Sequence, residues 1–317
     1  MSIEKASLDR DLFKSNPNLY IENVIKEYLA HSLINQLVEF DNDPVWGEPI
    51  VAFADGDDPL FQTLKKTIGD FHMTPREALE KYIHEYKGWF LGLRKEYPVS
   101  VISYVLPIPQ ASRDVERNSP FGGTRRFNQN RWLGETVWRN LEHYVASLLE
   151  MMGHHAFAPG RSIYFRDVTN LLDGRWRPTW NERSVAHIAG LGTYGLNGLI
   201  ITEKGCSVFL ESIVCDVPLK PTPRPYDDLH AYCPYFKDKS CGKCIDRCLS
   251  GAVIEKGRDI LICRQYLGRD QVKRMKEAGM SIEGYIGKAP TCGLCSTGVP
   301  CESRIPHGFE PKKPVQG

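Results

Sequence analysis

Cys241, Cys244 and Cys248 form a C-x-x-C-x-x-x-C run, and Cys292 and Cys295 form a second C-x-x-C with Cys301 six residues on. Cys233 precedes the first run by eight residues, and Cys263 stands between the two groups. A [4Fe–4S] cube takes four thiolates, and short spacings let one turn supply several of them. Eight cysteines are the number that two such cubes require. In two-cluster ferredoxin folds the last cysteine of each group crosses to the other cluster. That rule places Cys233, Cys241, Cys244 and Cys301 on one cluster and Cys248, Cys263, Cys292 and Cys295 on the other. Two zinc ribbons are the competing use, since zinc sites also employ C-x-x-C pairs; the C-x-x-C-x-x-x-C run favours iron. Cys206 and Cys215 have no C-x-x-C partner and read as buried structural thiols.

The rest of the chain sets the context. Of 317 residues and ten cysteines, none of the cysteines precedes Cys206. A disulfide-stapled secreted protein would spread its cysteines through a short chain behind a signal peptide; this sequence starts with alternating charged and apolar residues, which points to the cytoplasm. Apolar residues at 42% and charged residues at 25% are ordinary globular values. A net charge of +1 offers no electrostatic case for nucleic-acid binding. No apolar run approaches the ~20 residues of a membrane span.

The periodicity divides the chain into four parts. Residues 1–98 are expected to be mainly helical, with Ile21, Val24, Ile25 and Leu29 on one face, Leu60, Phe61, Leu64 and Ile68 on another, and a capping box at Thr74–Glu77. Residues 99–220 should hold a cofactor-binding core. Its parts are a buried strand over 99–106, a polar loop or lid over 110–129, and a helix whose apolar face runs from Trp132 to Met152. A strand over 161–165 and a helix opened by a capping box at Thr179–Glu182 follow. Next come a Gly190–Asn197 loop and a hairpin of 199–202 with 206–217. Four prolines in 218–225 mark a stiff connector. The Cys-rich unit occupies 221–308, and 309–317 is a polar tail. His154 and His155 read as solvated residues at a helix end, and Arg125–Arg126 as a solvated charge pair.

The stretch 182–201, ERSVAHIAGLGTYGLNGLII, resembles the epoxyqueuosine reductase family, which carries E-R-x-x-A-x-x-A-G-L-G-x-x-G-K-N-x-L-L-I. The resemblance continues at Phe209-Leu210-Glu211, Asp216 to Leu219, Cys241 to Val253, Cys263 to Leu267 and Cys292 to Cys295. It implies an α+β protein in which a nitroreductase-like α/β cobalamin-binding domain is followed by a ferredoxin-like domain with two [4Fe–4S] clusters. As in the related reductive dehalogenases, electrons would pass from the clusters to a base-off cobalamin that reduces a small organic substrate. Gly190, Gly192, Gly195 and Asn197 would then bind the cofactor, since glycines let backbone N–H groups approach a flat macrocycle. A ferredoxin or flavodoxin is the implied electron donor. Neither a membrane nor nucleic acid is expected as a partner. The alternative is a two-cluster electron-transfer protein that lacks a corrinoid and docks on a partner enzyme.

Departures from the family pattern are local. Its first cluster cysteine falls at Asp238 and its last at Val299, which leaves Cys233 and Cys301 as replacements. Leu249 and Glu302 stand where proline follows the fourth and eighth cysteines, and Leu196 replaces a lysine. The family's catalytic aspartate falls at Trp176. Tyr194 and Asp173 are the candidate proton donors, with Asp173-Gly174 also reading as a turn.

Overall fold

The computed structural model describes residues 9–87, 96–169, 176–287 and 291–310. Helices α1 (Arg10–Ser15) and α2 (Pro17–His31) share Asn16, whose side chain caps α2 by accepting from Leu19 N, and Pro17 opens α2 where no N–H is needed. Ile21, Val24, Ile25 and Leu29 are buried, as their spacing predicts. Strand β1 (Ile50–Asp55) follows, then α3 (Pro59–Ile68) and α4 (Pro75–Tyr82). The Thr74–Glu77 capping box forms in both directions. The expected mainly helical region therefore also supplies a strand.

Strand β2 (Ser100–Pro107) is buried at every residue. The expected loop over 110–129 is instead largely helical, in α5 (Gln110–Arg117) and the start of α6 (Arg125–Met151). Its polar residues misled because they are buried and bonded across the fold. Asn130 Nδ2 donates to Val45 O at 2.6 Å, Asn128 Oδ1 accepts from Ile286 N at 3.0 Å, and Gln129 reaches Glu39. Gly134 of α6 leaves room for Trp46, whose Cζ2 lies 2.1 Å from where a Cβ would stand.

After β3 (Ala156–Phe157), the expected strand at 161–165 is a 3₁₀ turn, Pro159–Arg161, closed by Ser162 Oγ donating to Pro159 O. A short ladder pairs β4 (Asp167–Thr169) with β5 (Trp176–Pro178). Helix α7 (Glu182–Ile188) is capped by Asn181, not Thr179. The Thr179 hydroxyl is used instead by Tyr164 O and Arg166 N, and the Glu182 carboxylate turns to Ser212.

Strands β6 (Gly192–Tyr194) and β7 (Ile200–Thr202) pair with each other, while β8 (Val208–Cys215) joins the main sheet. The predicted hairpin of 199–202 with 206–217 does not form: β7 pairs back with β6, β8 pairs with β2 at long range, and a lone Thr202–Gly205 bridge remains. The main sheet is antiparallel with order β1-β2-β8-β3, and Ile102 sits opposite both Phe53 and Ile213. Alternation sends Ile102, Tyr104 and Leu106 toward α2 and α6, and Val101 and Val105 toward α3, α4 and α7. Helices thus cover both faces. A local hairpin could not have filled both cores.

The 218–225 connector is stitched to the sandwich. Thr222 N donates to Phe53 O at 2.8 Å, Thr222 Oγ1 accepts from Phe53 N at 3.0 Å, and Arg224 donates to Ile188 O and Asp58. Beyond it come α8 (Pro234–Asp238), α9 (Lys243–Asp246), the ladder β9 (Val253–Ile254) with β10 (Gly257–Arg258), α10 (Ile260–Gln265) and α11 (Gln271–Glu277). A third core joins this unit to the β6–β7 ladder through Leu196, Ile201, Tyr226, Tyr232, Val253 and Ile305. Among the described residues no helix is long and apolar enough to cross a membrane.

A four-cysteine cavity and its surroundings

Cys233 caps α8, Cys241 precedes α9, Cys244 lies on it, and Cys301 arrives from the far end of the unit. These four line one small cavity, of about 20 Å³, together with Leu196, Ile201, Tyr235 and Val299. They are the four that the crossing rule groups together. Asp238, at the family's first cysteine position, is exposed and its Oδ1 accepts from Ser240 N, so Cys233 fills the place from inside. Val299 lines the cavity without a donor atom, and Cys301 supplies the sulfur.

Burial and then the charges of Cys301, Cys295, Cys233 and Cys241 push the Cys244 thiol up to about 12. Thiols packed this way cannot all ionise without a cation among them, and metal binding supplies one. Among the described residues no three Cys, His, Asp or Glu side chains converge at single-ion spacing. A cube needs wider spacing, because each thiolate meets a different iron.

The second group is held by different means. Burial raises the Cys248 thiol, but Ser250 Oγ at 3.3 Å, Val253 N at 3.4 Å and neighbouring N–H groups outweigh it and hold the thiol below its ordinary value. Cys295 is pushed up to about 11 by burial, against the pull of Arg258 and with the charges of Cys263 and Cys248. Cys292 is raised by burial and by Glu116, Cys295 and Cys263. The four residues of this set therefore stand within electrostatic reach of one another. Arg183 lies near Tyr194, Arg258, Cys295 and Cys263, and burial followed by Arg258 lowers its pKa.

Two acids that the sequence did not single out fasten this region to the sandwich. Glu116 of α5 is fully buried: its Oε1 accepts from Gly123 N at 2.7 Å and Gly293 N at 2.8 Å, and its Oε2 from Thr124 N at 2.9 Å and Thr124 Oγ1 at 3.0 Å. Burial nonetheless pushes its pKa above the ordinary carboxylate value. Gly293 belongs to the Cys292–Cys295 turn. Glu302, at the position of a family proline, accepts from Gly298 N at 2.6 Å and Arg117 Nη2 at 2.7 Å and pairs with Arg113 at 3.4 Å. The turn after Cys301 is thus set by ion pairs to α5.

The Gly190–Asn197 loop faces its own chain. A Cβ on Gly192 would stand 2.2 Å from Ile201 O, one on Gly195 2.9 Å from Asn197 Oδ1, and one on Gly190 3.1 Å from Pro223 O. These glycines permit close packing of β6 on β7 and of the loop on the connector, so they do not fit a macrocycle laid against them. Asn197 is buried, with Nδ2 donating to Cys295 O at 2.7 Å and Oδ1 accepting from Leu199 N at 3.1 Å. Through Asn197 the loop touches the cysteine unit.

Tyr194 is mostly buried; its hydroxyl bonds Ser184 Oγ at 2.8 Å, and burial raises its pKa. Asp173 lies outside the described residues. His154 and His155, expected to be solvated, bracket Asp216 with Nδ1 atoms at 3.0 and 2.8 Å. Arg125 and Arg126 are paired with Glu39 and Asp43. Cys215 is buried on β8, and burial raises it to about 12.

A buried acid group completes the region. Glu142 of α6, Glu182 of α7 and Glu211 of β8 gather near Arg161, which donates to Glu211 Oε1 at 2.9 Å, while Ser212 Oγ donates to Glu182 Oε2 at 2.6 Å. Burial and then mutual repulsion push Glu142 and Glu182 well above the ordinary carboxylate value. Glu182 and Glu211 belong to two separate sequence motifs. The capping role expected of Glu182 hid their meeting.

No family model matches the chain. Over 114 residues, 35% of this chain and 28% of the relative, it is 38% identical to epoxyqueuosine reductase of Bacillus anthracis. Over the same length it is 37% identical to that of Bacillus cereus. The chain thus spans less than a third of the length of these curated relatives. They carry the family name that residues 182–301 resemble. Among solved structures, a selenomethionine-labelled epoxyqueuosine reductase matches 83% of this chain and 64% of its own, at 17% identity and TM-score 0.45. A catabolic reductive dehalogenase in complex with 3-bromo-4-hydroxybenzoic acid matches 68% of this chain and 27% of its own, at 15% identity and TM-score 0.43. Likenesses this loose do not by themselves fix a fold or a function.

Proposed function

We propose that this chain is an iron–sulfur oxidoreductase whose eight clustered cysteines hold two [4Fe–4S] clusters and pass electrons onward to the reduction of a small organic substrate. The observation that carries the reading is the single cavity lined by Cys233, Cys241, Cys244 and Cys301. Four thiols lining one cavity are the donor set of a cube, and N–H groups aimed at Cys233 and Cys248 suit bound thiolates. Arg183 and Arg258 offset charge beside the second set.

Cobalamin is the electron acceptor implied by the similarity to epoxyqueuosine reductases, and it would supply a low-valent metal centre for the substrate. The glycines of the Gly190–Asn197 loop pack on their own chain. That same observation favours a second reading, a two-cluster electron-transfer protein without corrinoid. A ferredoxin or flavodoxin serves as donor in either case. The epoxyqueuosine named by these relatives joins small molecules among the substrate classes to assay.

Anaerobic purification followed by iron, acid-labile sulfide and corrinoid analysis tests these readings. About eight irons with matching sulfide supports the clusters; tightly bound zinc without sulfide overturns them. Corrinoid retained after reconstitution supports the reductase reading. Its absence, with both clusters present, supports the carrier.

A further inference from the structure

Cys206 lies against one of the cavity cysteines. Its Sγ is 3.6 Å from Cys301 Sγ, and its backbone N–H donates to Cys301 O at 2.8 Å, which fixes the spacing of the two segments. Asn197 Nδ2 approaches Cys206 Sγ at 3.7 Å. The alternative acceptor for the thiol hydrogen, Ser296 O, is farther away at 4.0 Å. Cys206 is only 1% exposed, so water does not compete for the contact. It is not among the residues that line the cavity, which places it behind the set of four.

Resting on the two-cluster reading, we propose that the Cys206 thiol donates an S–H···S hydrogen bond to the Cys301 thiolate and so raises the reduction potential of the cluster in this cavity. Once Cys301 binds iron it carries no proton and can only accept, which fixes the direction of the bond. Reduction adds negative charge to the cluster and its sulfur ligands. A donor aimed at one of those sulfurs stabilises the reduced form more than the oxidised one, and burial strengthens the effect. Cys206 is therefore a positioning residue that acts through Cys301. Asn197, which holds Cys206 on one side and the Cys295 carbonyl on the other, links this contact to the second group.

The test is an EPR-monitored redox titration of the anaerobically prepared full chain carrying Cys206→Ala or Cys206→Ser. The alanine variant should keep about eight irons. At a fixed applied potential, the reduced-to-oxidised ratio of one cluster should fall several-fold, with tenfold corresponding to 59 mV for a one-electron couple. The serine variant retains a donor and should recover most of the shift. Cys206→Val fills the site without a donor and repeats the test if alanine loosens the core. Unchanged potentials in both non-donor variants overturn the proposal and leave a structural thiol. Loss of about half the iron in Cys206→Ala also overturns it, by making Cys206 a ligand. Failure of the two-cluster reading would show first, in wild type, as protein without clusters.

Discussion

Removing the Glu116 carboxylate should release one cluster and leave the other. Alanine at this position strands the N–H groups of Gly123, Thr124 and Gly293, all of which the carboxylate now accepts. An unsatisfied buried donor costs about 1–3 kcal/mol, so three cost roughly 3–9 kcal/mol if the site stays dry. Entering water and relief of the buried carboxylate bring the expected loss toward the lower end, about 3 kcal/mol. The local consequence is sharper than the global one. Gly293 sits between Cys292 and Leu294 in the turn that presents Cys292 and Cys295, so iron should fall from about eight to about four. Glu116→Gln keeps one acceptor oxygen, and its amide can donate to Thr124 Oγ1, so it should lose only one N–H partner and fall between wild type and alanine. Iron analysis and urea melts of anaerobic protein read both effects. If Glu116→Ala keeps its full iron and stays within about 1 kcal/mol of wild type, the fastening role is wrong.

Replacing Cys233 or Cys301 by serine should cost about half the iron, whereas Cys215→Ser, deep on β8, should keep it all; colorimetric iron counts decide. A branched residue at Gly192 would drive a side chain into Ile201 O, now 2.2 Å from the Cβ position. Gly192→Val should therefore lower the melting point and the cavity cluster together, and a stable variant with normal iron would show that the close packing is not required. Glu142 and Glu182 have folded pKa values raised well above 4.5 by burial. Their contribution to stability is fully present below the unfolded value and is lost as pH rises through the folded values. Stability should thus decline with rising pH over that window, and Glu142→Gln or Glu182→Gln should flatten the urea-midpoint profile; an unchanged slope would contradict the buried-acid assignment.

Strong local periodicity was legible in the sequence, and polar burial was not. The apolar spacing of Ile21, Val24, Ile25 and Leu29, the Thr74 capping box and the β-branched run at 99–106 gave α2, α4 and, within one residue at each end, β2. Residues 110–129 read as a loop because they are polar and Gly-rich, yet the partners of Asn128, Gln129 and the adjoining Asn130 lie on segments 85–158 residues away and leave no local trace. The hairpin at 199–217 failed for a related reason. The Glu203-Lys204-Gly205 turn is a local signal, but β8 gains its full eight-residue ladder only by pairing with β2, a preference set by two cores at once.

Ligand chemistry constrains sulfur positions in space rather than in sequence. Cys233 and Cys301 reach the same cavity as Cys241 and Cys244 although neither falls where the family pattern puts a cysteine. The glycine loop shows the converse, since a motif in register need not present the same surface. With Gly192 closed on Ile201 and Asn197 bonded to Cys295, the loop fastens the cysteine unit to the sandwich. Glu116 and Glu302 do so from the opposite side through Gly293, Arg113 and Arg117. Electron transfer through the proposed pair of clusters needs fixed separations more than it needs mobility. Three fasteners of this kind, each ending within one residue of a cluster cysteine, make the sandwich the frame that holds those separations.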